Sequence, residues 1–165
     1  MKKSPRPSHS KIKSQAQLRS LVKKLRAKKQ QVVFTNGVFD IIHKGHVSYL
    51  ERARRLGDVL IVALNSDAST KRLKGATRPI NPLADRLEVI AALESVDFVT
   101  WFGEDTPIKP IVNIAPSVLV KGGDWQISKM VGAPEVLASG GQVKTLPFIR
   151  GRSTSEIIRK AQKKR

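Results

Sequence analysis

The sequence predicts an α/β domain built on a doubly wound parallel sheet of about five strands. Three observations carry that reading. Short runs of β-branched and apolar residues recur along the chain, a segment with helical spacing or a helix-start signal follows each run, and 165 residues are enough for one core but too few for two. Residues 1–13, MKKSPRPSHSKIK, contain two prolines, three serines and no apolar period, which reads as a flexible basic arm ahead of a domain over 14–165. Leu18, Leu21, Val22 and Leu25 then recur at helical spacing among cations, predicting an amphipathic helix over about 14–29. The run QVVFTN (31–36), stopped by Gly37, reads as a buried first strand, and a helix over about 45–56 follows it. DVLIVALN (58–65) is the second strand, and a helix over about 83–95 starts at Pro82. The strand DFVTWF (97–102), a helical segment after Pro107 and the strand SVLVKGG (117–123) come next. A helix near 133–139, the strand QVKTLPF (142–148) and a last helix from Ser153 complete the pattern. Such repetition covers both faces of a Rossmann-like sheet with helices and puts ligands at the C-terminal ends of the strands. Neither G-x-G-x-x-G after the first strand nor G-x-x-x-x-G-K-[ST] occurs, so a dinucleotide fingerprint and a P-loop are both excluded.

The formal charge is +18, from 31 Lys and Arg against 13 Asp and Glu, and it is unevenly spread. Residues 1–31 hold 11 cations and no acid, and residues 150–165 hold seven cations and one acid, so the body between them is nearly neutral. Basic ends can attract nucleic acid through counterion release, but these lack aromatic residues to stack on bases. Solvated tails are therefore the preferred reading, and nucleic acid is not the expected partner. With no cysteine, disulfides, thiolate catalysis and Cys-based metal sites are excluded. No apolar h-region follows the basic start and no run approaches the roughly 18 apolar residues of a membrane span, so the expected location is the cytoplasm. The apolar stripe of the first long helix fits pairing across a homodimer and fits covering its own domain equally well.

The stretch 35–46, TNGVFDIIHKGH, carries the most chemistry. It joins the first strand to the following helix, where an α/β sheet binds phosphate. Gly37 is expected to let the chain turn sharply, and Gly45 to let a nucleotide approach the backbone. His43 and His46 stand at a helix N-terminus, where two imidazoles can donate to an anion that the helix dipole already favours. A metal site would need further ligands of suitable geometry, and none is expected. The second feature of this type is Gly151-Arg152-Ser153-Thr154-Ser155, where a glycine leads into a hydroxyl-rich helix start. Ser153 or Thr154 can cap that helix, and capping leaves other amides free for an anion.

The segment Asn36-Gly37-x-Phe39-Asp40 followed by His43-x-Gly-His46 resembles the H-x-G-H signature of the nucleotidyltransferase superfamily. With NSDAS (65–69), KRLKG (71–75), RPINP (78–82), VKGGD (120–124) and GRSTS (151–155) in this order, about residues 15–160 look like the adenylyltransferases of ADP-heptose synthesis. The H-x-G-H motif alone speaks only for nucleotidyl transfer, whereas the ordered set points to the heptose branch. This resemblance implies attack of D-glycero-β-D-manno-heptose 1-phosphate on the α-phosphorus of ATP, with no covalent intermediate and with Mg²⁺ bridging phosphate oxygens. It implies catalytic roles for His43 and His46. Thr35, Asn36, Gly37, Phe39, Gly45, Lys121, Gly122, Asp124, Gly151, Arg152, Ser153 and Thr154 would bind nucleotide. Asn65, Asp67, Lys74 and Arg86 would surround the sugar phosphate. Arg72 and Arg150 are weaker candidates, and Trp101 and Phe102 receive no role. Val38 stands where that loop commonly has cysteine, a swap of similar volume. Two rival readings are cytidylyl transfer to glycerol 3-phosphate and, from a different class, a basic nucleic-acid-binding module.

Overall fold

The structure, a computed structural model, describes residues 6–123, 126–147, 149, 151 and 153–163. In chain order the elements are α1 (Ser8–Lys11), α2 (Gln15–Ala27), β1 (Val32–Gly37), α3 (Lys44–Arg54), β2 (Val59–Asn65), α4 (Asp67–Lys74) and α5 (Leu83–Ala92). Then come β3 (Phe98–Phe102), α6 (Ile108–Ile114), β4 (Val118–Gly122), a 3₁₀ turn at Ile127–Lys129, α7 (Ala133–Ala138), β5 (Gln142–Leu146) and α8 (Thr154–Gln162). The five strands form one parallel sheet in the order β3-β2-β1-β4-β5.

Alternation along each strand divides the core in two. Val32 and Phe34 of β1 and Ile61 and Ala63 of β2 face Leu18 and Val22 of α2 together with α6 and α7. Val33, Leu60, Val62 and Leu64 point the opposite way, onto Tyr49, Leu50 and Ala53 of α3 and Leu87, Ile90 and Ala91 of α5. Burial on both faces explains why these strands read as continuous apolar runs. The chain winds outward from β1 to β2 and β3, then returns to lay β4 on the other side of β1, so the strand order reverses between β1 and β4. A crevice opens at the C-terminal ends of the strands at such a reversal. The stripe of α2 lies on its own sheet, with Leu18 at 0% and Val22 at 2% exposure.

One expectation needs correction. Residues 6–13 are not a free arm: α1 packs on α5, Ile12 bridges to Val99, and the Lys13 amide donates to Val99 O at 2.8 Å. Lys11 Nζ donates to Leu93 O (3.1 Å) and Val96 O (2.9 Å), so the ammonium serves carbonyls left over at and just beyond the C-terminus of α5. The edge strand β3 and that helix end supply hydrogen-bonding groups which composition alone cannot reveal. The fold also contains α4, an eight-residue helix for which the sequence reading named no element; Ser66 caps it, its side chain accepting from Ser69 N.

Candidate functional site

The crevice is walled by the ends of β1 and β4. Asn36 and Lys121 meet across it, with Lys121 Nζ donating to Asn36 Oδ1 at 2.8 Å. Burial of this ammonium lowers its pKa to about 8. One residue earlier on β1, Thr35 is fully buried and bonded to Tyr49 OH at 2.6 Å, while Tyr49 OH donates to Val120 O. The Thr35 hydroxyl thus ties β1 to α3 and is not offered to a ligand, contrary to its expected role as a contact. Tyr49 is pushed up to about 12 by burial and stays protonated.

Gly37 works by leaving space. A Cβ there would stand 2.9 Å from Phe39 Cε2, so any side chain would displace the Phe39 ring. The sharp turn expected at Gly37 falls instead on Phe39, whose φ is 48°. The Phe39 ring meets His46 edge-on with centroids 5.2 Å apart, and His46 stacks on His43 at 3.8 Å with planes 21° apart. His43 occupies the N-cap position of α3 without a side-chain cap bond, and Gly45 is buried in the first turn. Among the described residues, His46 Nδ1 is buried and has no hydrogen-bond partner. Burial first, then the neighbouring His43, lowers the His46 pKa to about 4, so this imidazole is neutral at pH 7 and donates through one nitrogen. The site thus brings together a neutral His46 imidazole, the first-turn amides of α3 and the part-buried Lys121 ammonium.

The start of α8 joins the same loop. Ser153 caps it by accepting from Glu156 N, and Thr154 Oγ1 donates to Ile41 O at 3.2 Å. Gly151 precedes it with a φ of 70°. Gly122 ends β4, and the next amide, Gly123 N, donates to Leu146 O. Asp124, Arg152 and the weaker candidate Arg150 lie outside the described residues.

The residues expected around the sugar phosphate divide. Asn65 is buried and its Nδ2 donates to Ser69 Oγ at 3.0 Å. Arg86 is 1% exposed; it donates to Val38 O (2.7 Å), Asn81 O (3.0 Å) and Asp67 Oδ1 (2.7 Å), so it braces three segments and is not a cation presented at the surface. Asp67 keeps a partly open carboxylate beside it. Lys74 is exposed at the last turn of α4, and Arg72 is held by Asp105 and Gly103 O.

Asp40 was not singled out from sequence. It is 3% exposed and receives Ile80 N, Asn81 N and Arg78 Nε at 2.9, 2.8 and 2.7 Å. Burial pushes its pKa up, but the two amides and Arg78 outweigh that and hold it below the usual carboxylate value. A cavity of about 510 Å³ lies behind this loop, between Phe39–Ile42 and the middle of α5. Among the described residues no three His, Cys, Asp or Glu are grouped to hold a metal ion.

A family model described as cytidylyltransferase-like matches residues 34–160. The bifunctional protein HldE of Citrobacter koseri is 56% identical over 152 residues, which is 92% of this chain and 32% of that one. The HldE of Erwinia tasmaniensis is 58% identical over 148 residues, 90% of this chain and 31% of that one. The chain therefore spans about a third of the length of these curated relatives. Among solved structures, a lipopolysaccharide core biosynthesis protein from Thermoplasma volcanium aligns with a TM-score of 0.59 at 31% identity, covering 74% of this chain and 99% of its own. Pantoate-beta-alanine ligase from Francisella tularensis shares the fold at 17% identity and a TM-score of 0.56, over 87% of this chain and 68% of its own.

Proposed function

This chain belongs to the cytidylyltransferase-like family, and on that premise we propose that it transfers AMP from ATP to D-glycero-β-D-manno-heptose 1-phosphate. A phosphate oxygen of the sugar phosphate attacks the α-phosphorus of ATP in line. The bond from that phosphorus to the bridging oxygen breaks, and pyrophosphate leaves with the electron pair, giving ADP-heptose. The observation that carries the reading is the stacked His43–His46 pair at the uncapped start of α3, beside the strand-order reversal. The identity to HldE over nearly the whole chain supports the nucleotide and the acceptor.

His46 and His43 donate hydrogen bonds to phosphate oxygens as charge builds on them, the kind of stabilisation for which a pre-placed donor is most effective. Lys121, oriented by Asn36, adds a cation on the nucleotide side. The start of α8, capped by Ser153 and tied to Ile41 O through Thr154 Oγ1, brings further amides toward the triphosphate. Asp67 and Lys74 serve the acceptor, through sugar hydroxyls and phosphate respectively. Mg²⁺ would neutralise charge on the phosphate oxygens. The described residues around the crevice offer imidazole, amide and ammonium donors and no carboxylate cluster, which fits an ion carried in by the triphosphate. No helix among the described residues is long and apolar enough to cross a membrane, and a need for ATP makes the cytoplasm the expected compartment.

The test is pyrophosphate release, with the product identified by mass, from each nucleoside triphosphate and either heptose 1-phosphate or glycerol 3-phosphate. ADP-heptose formed from ATP alone is the expected result. Turnover only with CTP and glycerol 3-phosphate would overturn both substrate assignments and leave the histidine chemistry standing.

A further inference from the structure

One group of polar residues behind the crevice is bonded extensively to protein. Asp40 receives the Ile80 and Asn81 amides and Arg78, and its own carbonyl accepts from Asn81 Nδ2 at 2.6 Å. Arg86 holds Val38 O, Asn81 O and Asp67. Asp67 Oδ2 in turn receives Leu83 N at 3.3 Å. The backbone is thus fixed at Val38 by Arg86 and at Asp40 by residues 80–81, on either side of Phe39. Between these two anchors Phe39 adopts a φ of 48°, a left-handed conformation that a bulky residue keeps only where its surroundings demand it. Its ring is what that conformation delivers: it fills the space over Gly37 and meets His46 edge-on.

We propose that Asp40 and Arg86 are positioning residues for His46, acting through the backbone of Phe39 and the contact of its ring with the imidazole. The inference rests on the assignment of His46 to the transfer site. Loss of either anchor frees the 38–40 segment to relax toward ordinary dihedral angles, and the Phe39 ring then withdraws from His46. The imidazole loses one wall of its slot. Reactant groups displaced by about 1 Å can lose roughly a hundredfold in rate while substrate binding changes little. Such a device differs from general scaffolding in its readout, the surroundings of His46 and the chemical step; Arg86 also holds Asp67, so its loss additionally touches the acceptor side.

The test compares Asp40→Asn, Arg86→Lys and Phe39→Leu with the full-length wild type. For each variant, kcat and KM for ATP are measured, and the His46 ring-proton resonances are followed through an acid titration without substrate. Expected results are a roughly tenfold to hundredfold fall in kcat, with KM for ATP within about twofold in Asp40→Asn and Arg86→Lys; Phe39→Leu, at a residue expected to touch nucleotide, is read by kcat and the titration. The His46 midpoint should also rise from about 4 toward the ordinary histidine value. If Asp40→Asn fails to fold, Phe39→Leu keeps an apolar side chain and reads the same contact. An unchanged His46 midpoint in folded variants, or equal changes in kcat and KM, would overturn the proposal. Absence of transfer in the wild type would count against the proposed substrates and leave the titration, which uses no substrate, to decide this point.

Discussion

Two helix starts in this molecule are built in opposite ways. At α2, Ser14 accepts from Gln17 N while Gln17 Oε1 accepts from Ser14 N, a capping box that closes the helix end on itself. At α3, a histidine occupies the cap position with no side-chain bond to the first turn, and His46 Nδ1 lies buried without a partner among the described residues. The two lysines drawn out of solvent differ in the same sense. Lys11 donates to two carbonyls beyond α5, whereas Lys121 has one amide oxygen and a pKa lowered to about 8. The N-terminal segment packed along the β3 edge is finished for stability, and the crevice keeps donors in reserve. Where a fold leaves local rules unmet at one end of its sheet, a ligand is the natural means of meeting them.

The sharpest way to break this contrast is His46→Ala. Turnover should fall by roughly a hundredfold or more, the scale for removing a transition-state donor, while the circular dichroism spectrum is retained. Near-normal turnover would place His46 with the structural residues.

Acid stability tests the same residue without substrate. Because the folded pKa of His46 lies below its unfolded value, the unfolded chain binds the extra proton between pH 6.5 and about 4, and stability declines as pH falls through that window. The contribution amounts to up to about 3 kcal/mol. Denaturant midpoints for His46→Gln should lose this acid limb. Asp40, whose pKa is held low, contributes a further loss at lower pH in wild type and variant alike.

Lys121→Met should raise KM for ATP by about tenfold, the lower end for a lost hydrogen bond to a charged group. In the wild type, affinity for ATP should weaken above about pH 8 as the ammonium loses its proton, and the Met variant should lack this limb in a binding titration.

In the finished N-terminal segment the signs reverse. Lys11→Ala should cost about 1–3 kcal/mol by stranding the Val96 carbonyl, Leu93 O keeping its bond from Val96 N, and Ser14→Ala about 1 kcal/mol. Both should leave kcat and KM unchanged in steady-state assays.

Much of this architecture was readable from sequence for a definite reason. A parallel sheet buried on both faces writes each strand as a short apolar run, with Gly37 marking where the first stops and Pro107 where a helix starts. The histidine pair was readable because its spacing and its strand-to-helix junction are both local. What escaped depends on partners distant in the chain. Asp40 finds its donors 38 to 41 residues away, and Lys11 finds its carbonyls 82 and 85 residues away. For Arg86 a local signal did exist: it lies three residues after Leu83 and four before Ile90, on the face of α5 that enters the core. Thr35 was misassigned because a strand's last residues alternate between ligand and helix, and the sequence does not say which face Tyr49 will meet. Helix α4 has little apolar periodicity and owes its start to the Ser66 cap.

The most direct measurement follows the three histidines by long-range ¹⁵N–¹H correlation spectra while Mg²⁺ and ATP are added to the wild-type protein. His43 and His46 are predicted to shift together and saturate at one ATP per chain, with His9 on the N-terminal side unmoved as an internal control. ATP binding that leaves both crevice imidazoles unchanged would contradict the account.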